Sequence, residues 1–298
     1  MDIKRFAWTL ACRAISPAWA FRHLTGESGQ MRHADRGRSR QHVLMCKISY
    51  NQYGGYCVPL SSRHRPAVRK VLDGKVHEPQ TVAFILANCG TGDVVQAGAY
   101  FGDFLPALGG GVAADAKVWC FEPNRENYRC AAITVAINGL ANIELANAGL
   151  GSRDEMLSVR VVDEHGRALG GASEIVAESA DAHAQPVRIV AVDNVVAPDR
   201  HVSILQLDVE GYEQQALKGA LKTIRRCLPI LILEVLPTST LLESEWFCEN
   251  IRRLGYNERC KLHRNIVFAC GSVAGRSSDT EAGKIKSGAW DSNTRAGV

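Results

Sequence analysis

The sequence predicts an α/β protein with a mainly parallel sheet whose two faces are covered by helices. From residue 93 onward, short runs rich in Val, Ile and Leu alternate with longer segments of helical pattern. This alternation is typical of βαβ units that build a parallel sheet. The chain has 298 residues, of which 46% are hydrophobic and 22% charged, so it can bury a large core.

Three pieces precede the alternating part. Residues 1–42 combine an amphipathic helix up to Pro17 with a basic, polar linker, and packing on a partner or contact with a membrane surface stays open for this helix. Residues 43–60 alternate apolar and polar side chains around Gly54-Gly55, which predicts a β-hairpin. After a polar stretch with a short helical pattern, Pro79 begins a helix that ends near Gly90.

The alternating part belongs to one domain that we place at 43–270. Its bounds follow the apolar runs and the glycines and prolines between them. The predicted strands are 93–97, 117–122, one with its exit loop in 142–150, one with its turn in 203–211, 229–235 and a final pair in ERCKLH and NIVFAC. The predicted helices begin with DFLPALGGG and continue at 124–139, 213–227 and 244–256.

Two segments depart from this pattern. Residues 151–200 contain two strand-like runs, MLSVRVV and QPVRIVAV, separated by a loop rich in Gly, Ala and Ser. We interpret them as an inserted hairpin near the sheet edge or over the ligand site. Residues 271–298 are Gly, Ser and charged residues with almost no apolar content, which predicts a disordered tail.

Charge and cysteine usage exclude several classes of protein. The net charge is only +4, so nothing requires a nucleic-acid partner. Ten cysteines are scattered without a Cys-x-x-Cys motif, which argues against a zinc knuckle or a disulfide framework and fits a reducing cytoplasm. No segment reaches the roughly 20 apolar residues of a transmembrane helix.

The stretch VVQAGAYFG joins the first strand of the alternating part to a helix. Gly98 allows a sharp turn after the strand, and Gly102 allows the helix to begin close to a ligand. Glu122 ends the next strand, where an acid accepts hydrogen bonds from both hydroxyls of a ribose. The two glycines and this acid together indicate an adenosine ligand.

The residue between these glycines separates two classes of adenosine cofactor. Pyrophosphate cofactors usually require G-x-G-x-x-G, whereas this loop is G-A-Y-F-G. A sulfonium cofactor has no phosphate and tolerates the bulky Tyr100, whose ring attracts a cation by about 0.5–2 kcal/mol. Plain packing is the alternative role for this ring.

A second group of polar residues follows the strand 203–211. Asp208 ends a buried apolar strand at the edge where open α/β sheets bind ligands, and an acid there requires a reason. Glu210 and Glu213 begin the next helix, where matching the helix dipole is an alternative explanation. We therefore take Asp208 and Glu210 as candidate catalytic residues.

Four motifs together resemble the FkbM family of S-adenosylmethionine-dependent methyltransferases. They are FEPNRENY (121–128), NGLANIELANAGLG (138–151), LDVEGYE (207–213) with LKGA (217–220), and PILILEV (229–235). The resemblance runs from about Tyr50 to Val235. It implies a seven-stranded Rossmann-like methyltransferase fold, with S-adenosylmethionine as cofactor and a hydroxyl of a saccharide or other small molecule as methyl acceptor.

The chain departs from the family pattern at three positions. The family usually shows D-V-G-A-N-x-G, and here Gln96 replaces the acid and Tyr100 the Asn. Gln206 stands where a Lys usually precedes the strand-end Asp. Replacing a charged hydrogen bond to the cofactor's ammonium group by a neutral one lowers affinity about tenfold. We therefore expect a modified site that still binds the cofactor, with lower affinity.

The resemblance also suggests a role for each site residue. Gly98 and Gly102 approach the methionine part, Glu122 holds the ribose, and Asp208 orients or deprotonates the acceptor hydroxyl. Glu78 and Thr81 close the methionine end, with ordinary helix capping as the alternative. Asn147 and Ala148 border the adenine, and Glu210 and Glu234 bind acceptor hydroxyls. We expect no metal at Asp208, Glu210 and Glu234.

Two other functions stay open at this point. A nicotinamide-dependent oxidoreductase on a related fold requires G-x-G-x-x-G after the first strand, which this loop lacks. A non-catalytic, methyltransferase-like binding protein is compatible with the departures at Gln96, Tyr100 and Gln206.

Overall fold

The computed structural model describes residues 43–176 and 184–271. In this part of the chain the strands are β1 (Cys46–Asn51), β2 (Gly54–Pro59), β3 (Asp93–Ala97), β4 (Val118–Phe121), β5 (Ile143–Ala146), β6 (Ala148–Leu150), β7 (Glu155–Arg160), β8 (Glu174–Val176), β9 (Ala184–Val190), β10 (Val202–Leu207), β11 (Ile230–Glu234), β12 (Asn257–Leu262) and β13 (Asn265–Ala269). The helices are α1 (Pro66–Leu72), α2 (Pro79–Asn88), α3 (Leu105–Gly111), α4 (Arg125–Ile137), α5 (Val192–Val195), α6 (Glu213–Lys218), α7 (Leu221–Cys227) and α8 (Glu245–Asn250). Short 3₁₀ turns cover Gly170–Ala172, Leu241–Glu243 and Arg252–Leu254.

Seven of the described strands form the central sheet, in the order β12-β13-β11-β10-β3-β4-β5. Neighbours from β11 to β5 are parallel, whereas β13 is antiparallel to both β11 and β12. The prediction of an α/β fold with a seven-stranded, mostly parallel sheet is therefore confirmed.

Helices cover both faces of this sheet because its central strands are apolar on both faces. Every residue of β3 and of β4 is buried. Val94 packs in a core with residues of α2, α3 and α4, whereas its neighbour Val95 packs in a second core with residues of α6, α7 and α8. Consecutive residues of one strand thus enter opposite cores, as the alternation of side chains along a strand requires.

The segment 142–150, predicted as a strand with its exit loop, forms two strands in different sheets. β5 belongs to the central sheet, whereas β6 pairs in parallel with β9 in a four-stranded sheet of order β6-β9-β7-β8. Asn147 lies between them, and its side-chain amide donates to the carbonyl oxygens of Glu122 (2.8 Å) and Pro123 (3.2 Å), which holds a turn. Within the 151–200 insert, β7 and β9 pair antiparallel.

The helix predicted at 213–227 is interrupted at Gly219 and forms α6 and α7. A Cβ atom at Gly219 would lie 1.9 Å from the carbonyl oxygen of Gly151, so the two backbones touch where the helix breaks. The helix predicted at 244–256 is also shorter. The Ser244 hydroxyl caps α8 by accepting from the Phe247 N–H (3.1 Å), and a 3₁₀ turn follows α8.

The N-terminal segment 1–42 and the tail 272–298 lie outside the described residues, as do residues 177–183 of the insert. The hairpin expected at 43–60 corresponds to β1 and β2, which pair antiparallel. Among the residues that the structure describes, no helix has both the length and the apolar content to span a membrane.

Candidate active site

A cavity of about 480 Å³ opens at the carboxyl ends of β3, β10 and β11. Chain crossovers in an open parallel sheet leave a crevice at this edge, which is where such folds bind ligands. Its lining contains the carboxyl groups of Glu78, Asp103, Asp208, Glu210 and Glu234. Basic side chains also reach it: Arg65, Lys70, His77, His263 and Arg264. The cavity therefore carries charged groups of both signs.

The loop after β3 forms one wall of the cavity, and its backbone is held by left-handed residues. Gly98, Tyr100 and Gly102 have φ angles of 82°, 48° and 84°. A Cβ atom at Gly98 would lie 2.1 Å from the carbonyl oxygen of Asp208, so glycine is required where β3 and β10 end. Gly98 and Asp208 are therefore in contact, as expected for residues that directly follow two neighbouring parallel strands.

Tyr100 is a packed residue that also borders the cavity. Its ring is 7% exposed, lies against Gly171, and meets Phe101 edge to face at 4.7 Å between ring centroids. Its hydroxyl is 2.9 Å from that of Ser62. Burial raises the pKa of this phenol, so it stays protonated at neutral pH. Packing accounts for most of its contacts.

Glu122 lies on the other side of Gly98, in a narrow cavity of about 20 Å³. The carboxyl group is buried and accepts hydrogen bonds from the backbone N–H groups of Tyr100 (2.8 Å) and Asn124 (2.9 Å) and from the Asn127 amide (3.3 Å). Burial raises its pKa to about 8, although these donors oppose the shift. Glu122 therefore ties the glycine loop to the start of α4.

The residues predicted at the adenine border lie next to this narrow cavity rather than in its lining. Asn147 is exposed and its amide is occupied at the turn after β5, and Ala148 is buried. Gly149 and Leu150 line the cavity instead, together with Ile175 of β8. The chain leaves the central sheet at Asn147, and the role of Asn147 and Ala148 at the adenine stays a prediction.

Glu78 points its side chain into the large cavity and does not cap α2 with it. It is the residue before the helix, with a φ angle of 43° and no capping bond from its side chain. Its Oε2 accepts from the Thr81 hydroxyl (2.9 Å) and from the amide of Asn265 (3.0 Å). Thr81 is fully buried, so it positions Glu78 and does not itself line the cavity.

Asp208 and Glu234 form a pair of carboxyl groups at the ends of β10 and β11. Burial raises the pKa of Asp208 well above its ordinary value, and the nearby charges of Glu234 and Glu210 raise it further. Burial also raises the pKa of Glu234, whereas Arg264, 2.8 Å away, and a hydrogen bond with Asp208 lower it. Asp208 therefore holds the proton of the pair.

Glu210 and the two glutamines complete this end of the cavity. Glu210 has a φ angle of 49°, and burial followed by the charge of Glu234 raises its pKa. Gln96 and Gln206 are almost fully buried and line the cavity. Gln206 Oε1 and Asp208 Oδ1 are buried without a hydrogen-bond partner in the described part of the chain. Two oxygen atoms at the strand ends can therefore accept a hydrogen bond from a ligand.

Three groups of site residues were not predicted from the sequence. Asp103 directly follows Gly102, and its position in the loop was the signal that could have found it. Burial and then the charge of Glu78 raise the pKa of Asp103 to about 7. Arg65, Lys70 and His77 come from a stretch that reads as a polar surface helix. His263 and Arg264 lie in the turn between β12 and β13.

Gly102 lies behind the loop and does not line either cavity. A Cβ atom there would lie 3.2 to 3.4 Å from Leu105, Thr134 and Ala131, so it sits against α3 and α4. The structure brings together Gln96, Gly98, Tyr100 and Asp208 with Glu78, Glu210 and Glu234 around the large cavity. Glu122 shares the narrow cavity with Gly98 and Asp208.

A comparison with protein families matches residues 96–257 to the methyltransferase FkbM domain, which covers more than half of the chain. A search of curated proteins finds no match. Among solved structures, the methyltransferase FkbM from Methylobacillus flagellatus KT is 19% identical with a TM-score of 0.42, and the match covers 60% of this chain and 43% of that protein. A SAM-dependent methyltransferase from Aquifex aeolicus is 15% identical (TM-score 0.36, 69% and 92% covered). TYW2 from M. jannaschii in complex with AdoMet is 12% identical (TM-score 0.39, 75% and 86% covered).

Proposed function

The chain belongs to the FkbM methyltransferase family, and we propose that it transfers a methyl group from S-adenosylmethionine to a hydroxyl of a saccharide or another small polar molecule. The observation that carries this proposal is the set of five carboxyl groups in one cavity at the carboxyl ends of parallel strands. The acceptor class and the O-methylation are part of the proposal.

The charge of the cavity favours a cationic cofactor. Asp103, Asp208 and Glu210 each have a raised pKa, in part because neighbouring carboxylates repel one another. S-adenosylmethionine brings a sulfonium and an ammonium group, and either charge relieves that repulsion in a partly buried site. The loop after β3 lacks the G-x-G-x-x-G of a nicotinamide site, so it gives no support to an oxidoreductase.

The residues present fit this cofactor at both of its ends. Glu78 and Asp103 would receive the ammonium group beside Gln96, whose amide is neutral. Gly98 would let the backbone approach the centre of the molecule, and Glu122 retains acceptor capacity for ribose hydroxyls beyond its three protein donors.

Adenosine requires more room than the narrow cavity has. Its volume of about 20 Å³ holds about one water molecule. Gly171, Ser173 and Ile175 form the side of this cavity that belongs to the insert. We therefore propose that the turn at Gly170–Ala172 and β8 move outward when adenosine binds.

Asp208 is the residue that we assign to the acceptor hydroxyl. When bound, S-adenosylmethionine supplies the electrophilic methyl group. Asp208 Oδ1 lacks a partner and would accept a hydrogen bond from the hydroxyl, and the raised pKa of this carboxyl makes it a stronger base once ionised. Glu234, anchored by Arg264, would hold the other side of Asp208 in place. Most of the rate then comes from aligning the reacting atoms.

Calorimetry with S-adenosylhomocysteine tests the proposal. We expect saturable binding by the wild-type chain, loss of at least about tenfold in affinity for Glu122→Ala, and unchanged affinity for the exposed control Glu258→Gln. Absence of binding, or an unaffected Glu122→Ala variant, would overturn the proposed cofactor site. Binding without transfer of radiolabelled methyl to any component of a cell extract would favour the non-catalytic alternative.

A further inference from the structure

We propose that the methyl acceptor carries an anionic group, a carboxylate or a phosphate, and that Arg65 and Lys70 bind it. This inference rests on the proposed function and names the acceptor class for the same site. The juxtaposition that carries it is a basic wall, defined as Arg65, Lys70 and His77, in the same cavity as the carboxyl groups at the strand ends.

The basic wall comes from one short stretch of chain. Arg65 directly precedes α1, Lys70 lies in the last turn of that helix, and His77 lies just before α2. All three line the cavity of about 480 Å³. Lys70 lies near enough to His77 to lower its pKa, although burial is the larger cause of that shift. His77 is therefore mainly a neutral donor, and the positive charge of the wall comes from Arg65 and Lys70.

The donors of this wall lack acceptors. Arg65 Nε and His77 Nδ1 are buried and have no hydrogen-bond partner in the part of the chain that the structure describes. Within those same residues, neither Arg65 nor Lys70 forms an ion pair, whereas Arg264 in the same cavity is paired with Glu234. Buried donors without partners destabilise the fold, and a ligand with several acceptor oxygens would satisfy them.

Two observations favour the acceptor as the source of the anion. The family match covers residues 96–257, and the whole basic wall precedes it, as does Glu78. Elements that select the acceptor vary around a shared domain, and the basic wall belongs to such an element. The carboxyl groups of Glu78 and Asp103 occupy the cofactor side and would take its ammonium group.

The carboxylate of the cofactor is also an anion and could bind the same side chains as the proposed group on the acceptor. The experiment therefore fills the cofactor site first. Protein saturated with S-adenosylhomocysteine is titrated with inorganic phosphate by calorimetry. We expect saturable binding on the order of 1 mM, weakened about tenfold or more in Arg65→Gln and in Lys70→Gln. Arg69→Gln, which removes an exposed cation from the same helix, is expected to bind as the wild type does.

Each result distinguishes an anion on the acceptor from the carboxylate of the cofactor. Failure of phosphate to bind the loaded protein overturns this inference alone, whereas failure of S-adenosylhomocysteine to bind overturns the proposed function. If phosphate binds only the unloaded protein and competes with S-adenosylhomocysteine, the basic wall serves the cofactor's own carboxylate and the inference is wrong.

Methyl transfer provides a second readout. Glucose, glucuronate and glucose 6-phosphate are compared as acceptors in the wild type and in the Arg65→Gln/Lys70→Gln double variant. We expect the wild type to prefer the two anionic acceptors. The double variant should lose that preference because its KM for the anionic acceptors rises. Preference for neutral glucose would count against the inference.

Discussion

Gln96 and Gln206 lie directly opposite each other in the neighbouring parallel strands β3 and β10. Both are almost fully buried, and both line the large cavity. They are the two strand positions at which the family pattern carries an acid and a lysine. By the resemblance described above, an opposite-charge pair would stand at these two positions, and this chain carries a neutral pair instead. Such paired replacement is often nearly neutral in stability, whereas leaving one buried charge unpaired costs about 3–5 kcal/mol.

Restoring the charges one at a time is expected to destabilise the protein. Gln96→Asp should lower the free energy of unfolding by about 3 kcal/mol, because it buries a further unpaired carboxylate. Gln206→Lys should lower it by less, because carboxyl groups line the same cavity. The double variant should recover at least about 1 kcal/mol of the summed loss through the new pair. Urea unfolding of the four proteins measures this coupling, and simple additivity would show that the two positions are independent.

The pH dependence of stability follows from the carboxyl groups whose pKa values are raised by burial. The pKa of Asp103 is raised from 3.8 to about 7 and that of Glu122 from 4.5 to about 8, in both cases mainly by burial. The folded state then binds more protons than the unfolded state between these values, so stability falls as the pH rises from about 4 to about 8. His77 opposes this trend as a single group, since its pKa is lowered.

We expect the ligand-free protein to unfold at a higher urea concentration at pH 5.5 than at pH 8. Asp103→Asn should flatten this dependence, and affinity for S-adenosylmethionine should change in the opposite direction, because ionised carboxylates bind the cation better. A midpoint that rises with pH in the wild type would contradict the assigned shifts.

Two glycine substitutions test the close approach of β3 and β10. Gly98→Ala should lower the free energy of unfolding by more than about 2 kcal/mol, because a Cβ atom would meet the Asp208 carbonyl oxygen at a positive φ angle. Gly110→Ala is the matched control in α3, where nothing lies within 4 Å, and should stabilise by about 0.5–1 kcal/mol. Thermal unfolding of both variants checks the contrast; similar losses would refute it.

Asp208→Asn should separate activity from stability. An amide cannot accept the hydroxyl proton, so methyl transfer should fall by about 100-fold or more. The free energy of unfolding should change little, because the raised pKa of Asp208 leaves it protonated and an amide is likewise uncharged. The two readouts are radiolabel transfer to extract components and urea unfolding, each compared with Glu258→Gln. Near-normal transfer would remove Asp208 from the chemistry.

The sequence predicts the sheet and its ligand edge because both depend on local signals. Apolar runs mark β3 and β10, and the acids at strand ends mark the edge, so Asp208 and Glu234 are expected there, and both line the large cavity. Where the prediction is wrong, the cause is a contact distant in sequence. The interruption of the helix at Gly219 depends on the backbone of Gly151. The departure of the chain from the central sheet after β5 depends on the carbonyl groups of Glu122 and Pro123.

The basic wall was missed for a similar reason. The spacing of charges on α1 looks the same whether the helix faces solvent or a cavity, and only the packing of α1 beside the strand ends distinguishes the two. The same holds for Glu122, whose backbone donors come from Tyr100 and Asn124 and cannot be read from the strand that carries it.

Gly171 borders both the large cavity and the narrow one. Gly98 and Asp208 border both as well, but Gly171 belongs to the insert rather than to the central sheet. Under the proposed function, a cofactor that spans both cavities would be exchanged by an opening of the insert once in every catalytic cycle. Turnover would be limited by that opening rather than by bond making, so shortening the insert should speed product release while weakening retention.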